Sequence, residues 1–201
     1  HPSTLTSINN MGALLQHMGE LEAARPLYEE ALAGRRATLG DTHPDTLGSI
    51  NNMGALLEAM GELEAARPLC EEALAGRRAT LGDTHPDTLT SINIMGALLK
   101  AMGELEAARP LYEEALAGSR ATLGDTHPST LASINNMGAL LKDMGELEAA
   151  RPLYEEALAG KRATLGDTHP DTLTSINNMG ALLQDMGVLE AARPLFEEAL
   201  A

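Results

Sequence analysis

The chain has 201 residues, 44% of them hydrophobic but only 2% aromatic, with no Trp and a formal net charge of −15. Ala, Leu and Met, all strong helix formers, carry the apolar content, so the composition leans all-α with ample material for a buried core. The acidic excess argues against a nucleic-acid backbone or an anionic membrane surface as partner, because both call for clustered Lys and Arg.

No run of 18 apolar residues is present, so no transmembrane helix is expected, and no signal peptide is visible. A single cysteine, Cys70, excludes an internal disulfide and is compatible with a reducing, cytoplasmic compartment without fixing it. The chain starts at His1 rather than Met, which points to a processed or excised segment of a longer array.

The pentapeptide His43-Pro44-Asp45-Thr46-Leu47 recurs at His1, His85, His127 and His169, with Asp or Ser in third place, at a spacing of 42 residues. The repeats run 1–42, 43–84, 85–126, 127–168 and 169–201, the last stopping before its final turns. A fixed period in this range marks a solenoid, in which each unit buries its apolar face against its neighbours. One solenoid domain over 1–201 is therefore expected. Repeats one and two differ only at Ser3/Asp45, Thr6/Gly48, Gln16/Glu58, His17/Ala59 and Tyr28/Cys70. Isolated exchanges such as Ile94 for Asn and Val188 for Glu fit natural drift after duplication better than design.

Each unit reads as two helices. In the second unit Thr42 is placed to cap the first, with Pro44 in the opening turn and Asp45 favourable to the helix dipole. Leu47, Ile50, Met53, Gly54, Leu57 and Met60 form an apolar stripe, and Gly61 ends the helix in a left-handed conformation. A second stripe follows: Leu63, Ala66, Leu69, Cys70, Ala73, Leu74 and Leu81, closed by Gly82. Pro68 should bend this helix slightly, and Gly76 should weaken it unless close packing requires a glycine there.

The pattern Ile50, Met53-Gly54, Leu57, Gly61, Ala66, Cys70 (Tyr28, Tyr112 and Tyr154 in other units) and Ala73 resembles the tetratricopeptide signature. The period is 42 rather than the usual 34, and the closing Pro is absent. With His-Pro-Asp opening the first helix and Leu-Gly-Asp-Thr closing the second, the units resemble the repeats of kinesin light chains. The resemblance covers the whole chain. It implies a right-handed all-α solenoid of stacked helix-turn-helix repeats whose first helices line a concave face.

Carried over by alignment, the groove positions are Asn9, Asn10 and Gln16; Asn51, Asn52 and Glu58; Asn93, Ile94 and Lys100; Asn135, Asn136 and Lys142; and Asn177, Asn178 and Gln184. An Asn amide both donates and accepts, so stacked asparagines can pair with an extended peptide backbone whatever its side chains. In kinesin light chains, groove asparagines of this kind contact cargo peptides. The Gln16, Glu58, Lys100, Lys142 and Gln184 column would select side chains, and Ile94 would form a local apolar spot. The same asparagines could equally bond one repeat to the next, and solvated positions also drift freely. The family's clamp for a C-terminal carboxylate uses Lys and Arg in the groove, where only Lys100 and Lys142 are cationic. The expected function is a protein-interaction scaffold for a peptide or protein segment. The alternative is a spacer, or a rod that associates head to tail through uncapped terminal repeats.

No enzyme or cofactor is expected. The glycines are single and periodic, unlike a phosphate loop, and no nucleophile with its base stands out from five near copies of every residue. His43, His85, His127 and His169 should lie about 10 Å apart in stacked layers, too far for one metal whose ligands sit roughly 2 Å away. They read as caps or packing groups, and His17 as a surface residue. The methionines read as core and Cys70 as an under-filled packing position. The acidic residues Glu62, Glu64, Glu71, Glu72 and Asp83 read as a solvated face, with Arg67, Arg77 and Arg78 as nearby counter-charges.

Overall fold

The computed structural model describes residues 2–200. The His1 cap and the terminal Ala201 lie outside the described residues. Helices and turns account for the described chain in the order α1 (Pro2–His17), α2 (Leu21–Leu39), α3 (Pro44–Ala59), α4 (Leu63–Leu81), α5 (Pro86–Ala101), α6 (Leu105–Leu123), α7 (Pro128–Asp143), α8 (Leu147–Leu165), α9 (Pro170–Asp185) and α10 (Leu189–Ala199). This is an all-α solenoid of helix-turn-helix repeats. The chain divides into two compact units, one ending at Glu104 and one beginning at Leu105. In the first, α2 packs between α1 and α3, and α4 between α3 and α5; in the second, α7 follows α6 and α8 packs between α7 and α9, with α10 against α9.

The helix starts differ in one respect from the sequence expectation. His43, not Thr42, caps α3: its Nδ1 accepts from the Asp45 backbone N–H at 3.1 Å. His85, His127 and His169 repeat the arrangement at the same distance. The imidazole reaches the N2 amide because Pro44 already fixes the first-turn φ and has no donor of its own. The turns after each first helix are glycines at positive φ, such as Gly61 at 77°. Gly82, at φ 86° and ψ 166°, is more extended than the left-handed cap expected there and stands where a side chain would be strained.

The core repeats with the sequence. Leu47, Ile50 and Ala73 are buried together, with Leu32 and Leu69 against them. Leu131, Ile134 and Ala157 form the same cluster with Leu116 and Leu153. Gly76 has a packing role in this core: a Cβ there would lie 2.4 Å from Leu47 Cδ2. Leu47 is 1% exposed and cannot swing away. A Gly76→Ala substitution gains about 1 kcal/mol of helix propensity but overpacks a filled site at a cost of about 1–3 kcal/mol. A net loss is expected on urea unfolding, whereas Gly34→Ala, which meets the half-exposed Leu5, should cost less.

Two features hold successive repeats together beyond apolar packing. The first is a pair of ion-pair ladders. Arg25 Nη1 and Nη2 donate to Glu62 at 2.8 and 3.0 Å while its Nε holds Glu29 at 3.2 Å. Arg67 does the same with Glu104 and Glu71, and Arg109 pairs with Glu146. Arg36–Glu72 at 2.7 Å, Arg120–Glu156 at 2.6 Å and Arg162–Glu198 form the second ladder. Glu62 and Glu72 are thus rungs between repeats rather than members of a merely solvated face. Val188 stands where the first ladder has Glu, so Arg151 keeps its Glu155 pair at 2.9 Å without that rung. Each exposed pair contributes between nothing and about 1 kcal/mol.

The second feature is buried. Arg77, read from sequence as a surface counter-charge, is 7% exposed. Its Nη1 donates to the Asp87 carbonyl at 2.7 Å and to Ser91 Oγ at 2.9 Å. Arg35 does the same to Asp45 at 3.0 Å and Ser49 at 2.8 Å, and reaches Thr6 Oγ1 with Nη2 at 3.2 Å. Burial lowers the Arg77 pKa, partly offset by the Asp87 carboxylate. The same position carries Lys161, whose Nζ donates to the Asp171 carbonyl at 3.2 Å. In the remaining unit it carries a buried Ser119, and there the following unit has Ser129 where the others have Asp. Cation and carboxylate are therefore present together or absent together.

Candidate functional site

The Asn columns lie on the first helices, and in the first two repeats the two members of each pair have different surroundings. There the first member points between repeats. Asn51 is 3% exposed and its Oδ1 accepts from Ser91 Oγ at 2.9 Å. Asn9 is buried, accepting from Ser49 Oγ at 3.4 Å and from Asn52 Nδ2 at 3.3 Å. In the second unit, Asn178 Nδ2 donates to Asn135 Oδ1 at 2.9 Å. Asn93 instead donates to the Leu89 carbonyl of its own helix at 3.1 Å.

The serines that hold Asn9 and Asn51 are themselves held by Arg35 and Arg77. A relay of guanidinium, serine and asparagine thus runs from a second helix, through the next first helix, back to the previous one. This relay was missed in the sequence because Arg, Ser and Asn are all ordinary surface residues by composition. The signal that could have found it is the joint change of Arg to Ser119 and Asp to Ser129.

The remaining groove positions are more accessible. Asn10 and Asn177 are exposed; Asn52, Asn93, Ile94, Asn135, Asn136 and Asn178 are half-buried. In the adjoining column Gln16, Glu58, Lys100 and Lys142 are half-buried and Gln184 is exposed. Several are engaged. Gln16 Oε1 accepts from Tyr28 Oη at 2.9 Å. Lys142 Nζ pairs with Asp185 at 2.8 Å. Burial raises the Glu58 pKa, and the Lys100 charge works against that rise. Tyr154 is pushed up to about 12 by burial and by Asp143 and Asp185. Each unit therefore presents amides beside mixed charges: Glu58 and Lys100 in the first, Lys142, Asp143 and Asp185 in the second.

Cys70 replaces tyrosine in the column behind this face. It is 1% exposed, and burial with the nearby Glu58 and Glu71 charges pushes its thiol up to about 11. The thiolate needed for attack is scarce at neutral pH. Native protein is expected to react with a thiol reagent only through local opening, far more slowly than urea-unfolded chain; equal rates would contradict the packing role. His17 is exposed, as expected for a surface residue. Met53, Met95, Met137 and Met179 are core at 6–7% exposure, whereas Met11 at 50% and Met18 at 61% are not. Among the described residues no group of three or more His, Cys, Asp or Glu is placed to hold a metal, and no helix is long and apolar enough to cross a membrane.

An α-solenoid of helix-turn-helix repeats with amide columns on its first helices has the form of a protein-interaction scaffold. Tetratricopeptide repeat profiles match residues 4–45, 45–121, 91–163 and 129–201. The chain belongs to the tetratricopeptide repeat family, with repeats of the kinesin light chain type, a family whose members are typically non-enzymatic. It is similar to a Podospora anserina protein described as a kinesin light chain with nearly identical repeats, at 30% identity and TM-score 0.77, over 99% of this chain and 94% of that one. BtubC from P. vanneervenii shares the fold at 24% identity and TM-score 0.79, over 98% and 79% of the two chains. A Rap protein crystallised with competence and sporulation factor shares it at 11% identity and TM-score 0.84, over 96% and 52%. No curated protein matches the sequence.

Proposed function

We propose that the first-helix face binds an extended peptide or protein segment, with the accessible asparagines pairing to its backbone. The observation that supports this reading is where the repeats differ. The second-helix sequence Leu-Glu-Ala-Ala-Arg-Pro-Leu recurs unchanged, while accessible first-helix positions vary: Asn10 against Ile94, and Gln16 against Glu58, Lys100, Lys142 and Gln184. Neutral amides would bind the backbone, and the varied column would read side chains. The inner asparagines Asn9 and Asn51 belong to the joints between repeats and serve by holding the outer ones in place.

A random-peptide library selected against the immobilised chain tests this reading, with Asn52→Ala, Asn136→Ala as control. Asn52 also bonds Asn9, so the double variant should lose about 1 kcal/mol of stability and remain folded. An enriched motif is expected, with at least tenfold weaker binding to the variant. A motif that binds the variant equally would remove these asparagines from the site.

A further inference from the structure

We infer that the partner of the first-helix face is an extended protein segment rich in Lys and Arg, because that face turns hydrogen-bond acceptors and negative charge outward and spends its donors inward. The inference rests on the peptide-binding reading above and adds to it the chemistry of the partner.

The polarity begins in the joint. A guanidinium can only donate. Arg35 Nη1 donates to Ser49 Oγ at 2.8 Å, and the serine gives its own proton onward to Asn9 Oδ1 at 3.4 Å. Asn9 Oδ1 is thereby fixed as an acceptor, and Asn52 presents Nδ2 to it at 3.3 Å. That turns the Asn52 carbonyl oxygen away from the joint. In the second unit Asn178 Nδ2 donates to Asn135 Oδ1 at 2.9 Å, with the same result. The hydroxyls behave alike: Thr90 donates to the Pro86 carbonyl at 3.0 Å and Thr174 to the Pro170 carbonyl at 2.9 Å, each within its own helix. Among the described residues none donates to Oδ1 of Asn52 or Asn178. Gln16 is turned the opposite way, its oxygen engaged by Tyr28 and its N–H groups left for a carbonyl of the partner backbone.

Charge adds to this polarity. Along α3, α5, α7 and α9 one stripe, at helical spacings of three and four residues, is exposed or half-buried throughout; Asp45, Asn52 and Ala59 mark it on α3, and Asp171, Asn178 and Asp185 on α9. It carries Asp45, Asp87, Asp143, Asp171 and Asp185 and neither Lys nor Arg. The lysines of these helices stand in the adjoining column and are matched there: Lys142 holds Asp185 at 2.8 Å, and Lys100 lies beside the Glu58 charge. Small residues such as Ala55 and Ala97 lie between, so a long side chain can rest its stem on them and place its head at a carboxylate. An acidic segment would meet like charge and oxygen lone pairs, whereas one bearing Lys or Arg supplies donors and positive charge together.

Fluorescence anisotropy with labelled peptides of repeated Lys-Ser-Ala, Gln-Ser-Ala and Glu-Ser-Ala tests the inference on the full chain. The Lys peptide is expected to bind at least tenfold more tightly than the other two, the difference shrinking as salt is raised. Ala59→Lys, Ala101→Lys puts cations on the stripe at exposed positions near helix C-termini, which tolerate them, and should weaken the Lys peptide about tenfold. Ala37→Lys, Ala79→Lys makes the same change in net charge at exposed second-helix positions and should change binding by about twofold at most. Equal weakening by the two pairs would show attraction to the overall charge of the chain and overturn the inference, as would a Lys peptide that binds no better than the Glu peptide. The random-peptide selection separates the two readings. An acidic motif lost on Asn52→Ala, Asn136→Ala keeps the groove and overturns the basic partner, whereas no enriched motif at all overturns both.

Discussion

Arg77→Met should destabilise the chain by about 3 kcal/mol, while Arg78→Met should cost less than about 1 kcal/mol. The two arginines are neighbours in sequence and opposite in circumstance. Arg78 bonds Asp83 at 2.9 Å on the surface, where solvent screens the pair. Arg77 lies between α4 and α5 with its Nη1 shared by the Asp87 carbonyl and Ser91 Oγ. Methionine keeps the apolar stem and removes the donors. The carbonyl and the hydroxyl then stay buried without their partner, and Ser91 is no longer held toward Asn51. Replacing a whole buried ionic group by apolar residues can be neutral, but deleting one member of a hydrogen-bonded set is not. Urea unfolding of the two variants checks the difference. The same loss should blunt any peptide binding, because Asn51 is one end of the relay.

Replacing Thr46, Thr88, Thr130 and Thr172 together by valine should stabilise the chain by about 4 kcal/mol, roughly 1 kcal/mol per site. All four are 0% exposed, and their Oγ1 atoms have no hydrogen-bond partner. Valine has nearly the same shape and helix propensity, so the exchange removes a desolvated hydroxyl and changes little else. For a chain of this size the gain corresponds to about 8–16 °C in Tm. Thr4 provides the internal control. It occupies the same place in the first repeat but is exposed, so Thr4→Val should change Tm hardly at all. Thermal unfolding followed by circular dichroism distinguishes the sites; a quadruple variant no more stable than wild type would show that the hydroxyls find partners in solution.

The repeat length, the helix pairs and most of the core were legible because the pattern is written five times. Leu47, Ile50 and Ala73 announce one apolar face at helical spacing, and each copy confirms the last. The cap was misplaced by one residue because Thr42 is the commoner capping type, whereas a histidine before proline does the work here. Which arginine turns inward was not legible. Arg77 and Arg78 are equally charged and adjacent, and only the phase of α4 against the next repeat separates them. The same holds for Asn51 and Asn52: composition marks both as groove residues, but one faces the joint and the other is half-open. Contacts such as Arg25 with Glu62 span nearly one repeat and depend on how layers stack, which no local spacing reports.

The buried cation and its aspartate have a bearing on how such a chain finds its own register. When repeats differ at a handful of positions, any second helix could in principle dock on any first helix, within one molecule or between two during synthesis. Arg77 set against Ser129 would bury a guanidinium with no carboxylate near it, and Ser119 set against Asp87 would leave that carboxylate facing no cation. Ser119 with Ser129 and Lys161 with Asp171 are matched sets; the cation is the inner member and the aspartate the exposed one, so a mismatch acts chiefly through the cation. The Ser119–Ser129 joint is thus set apart from the others in its interior, whereas Arg35 with Asp45 and Arg77 with Asp87 are the same set twice.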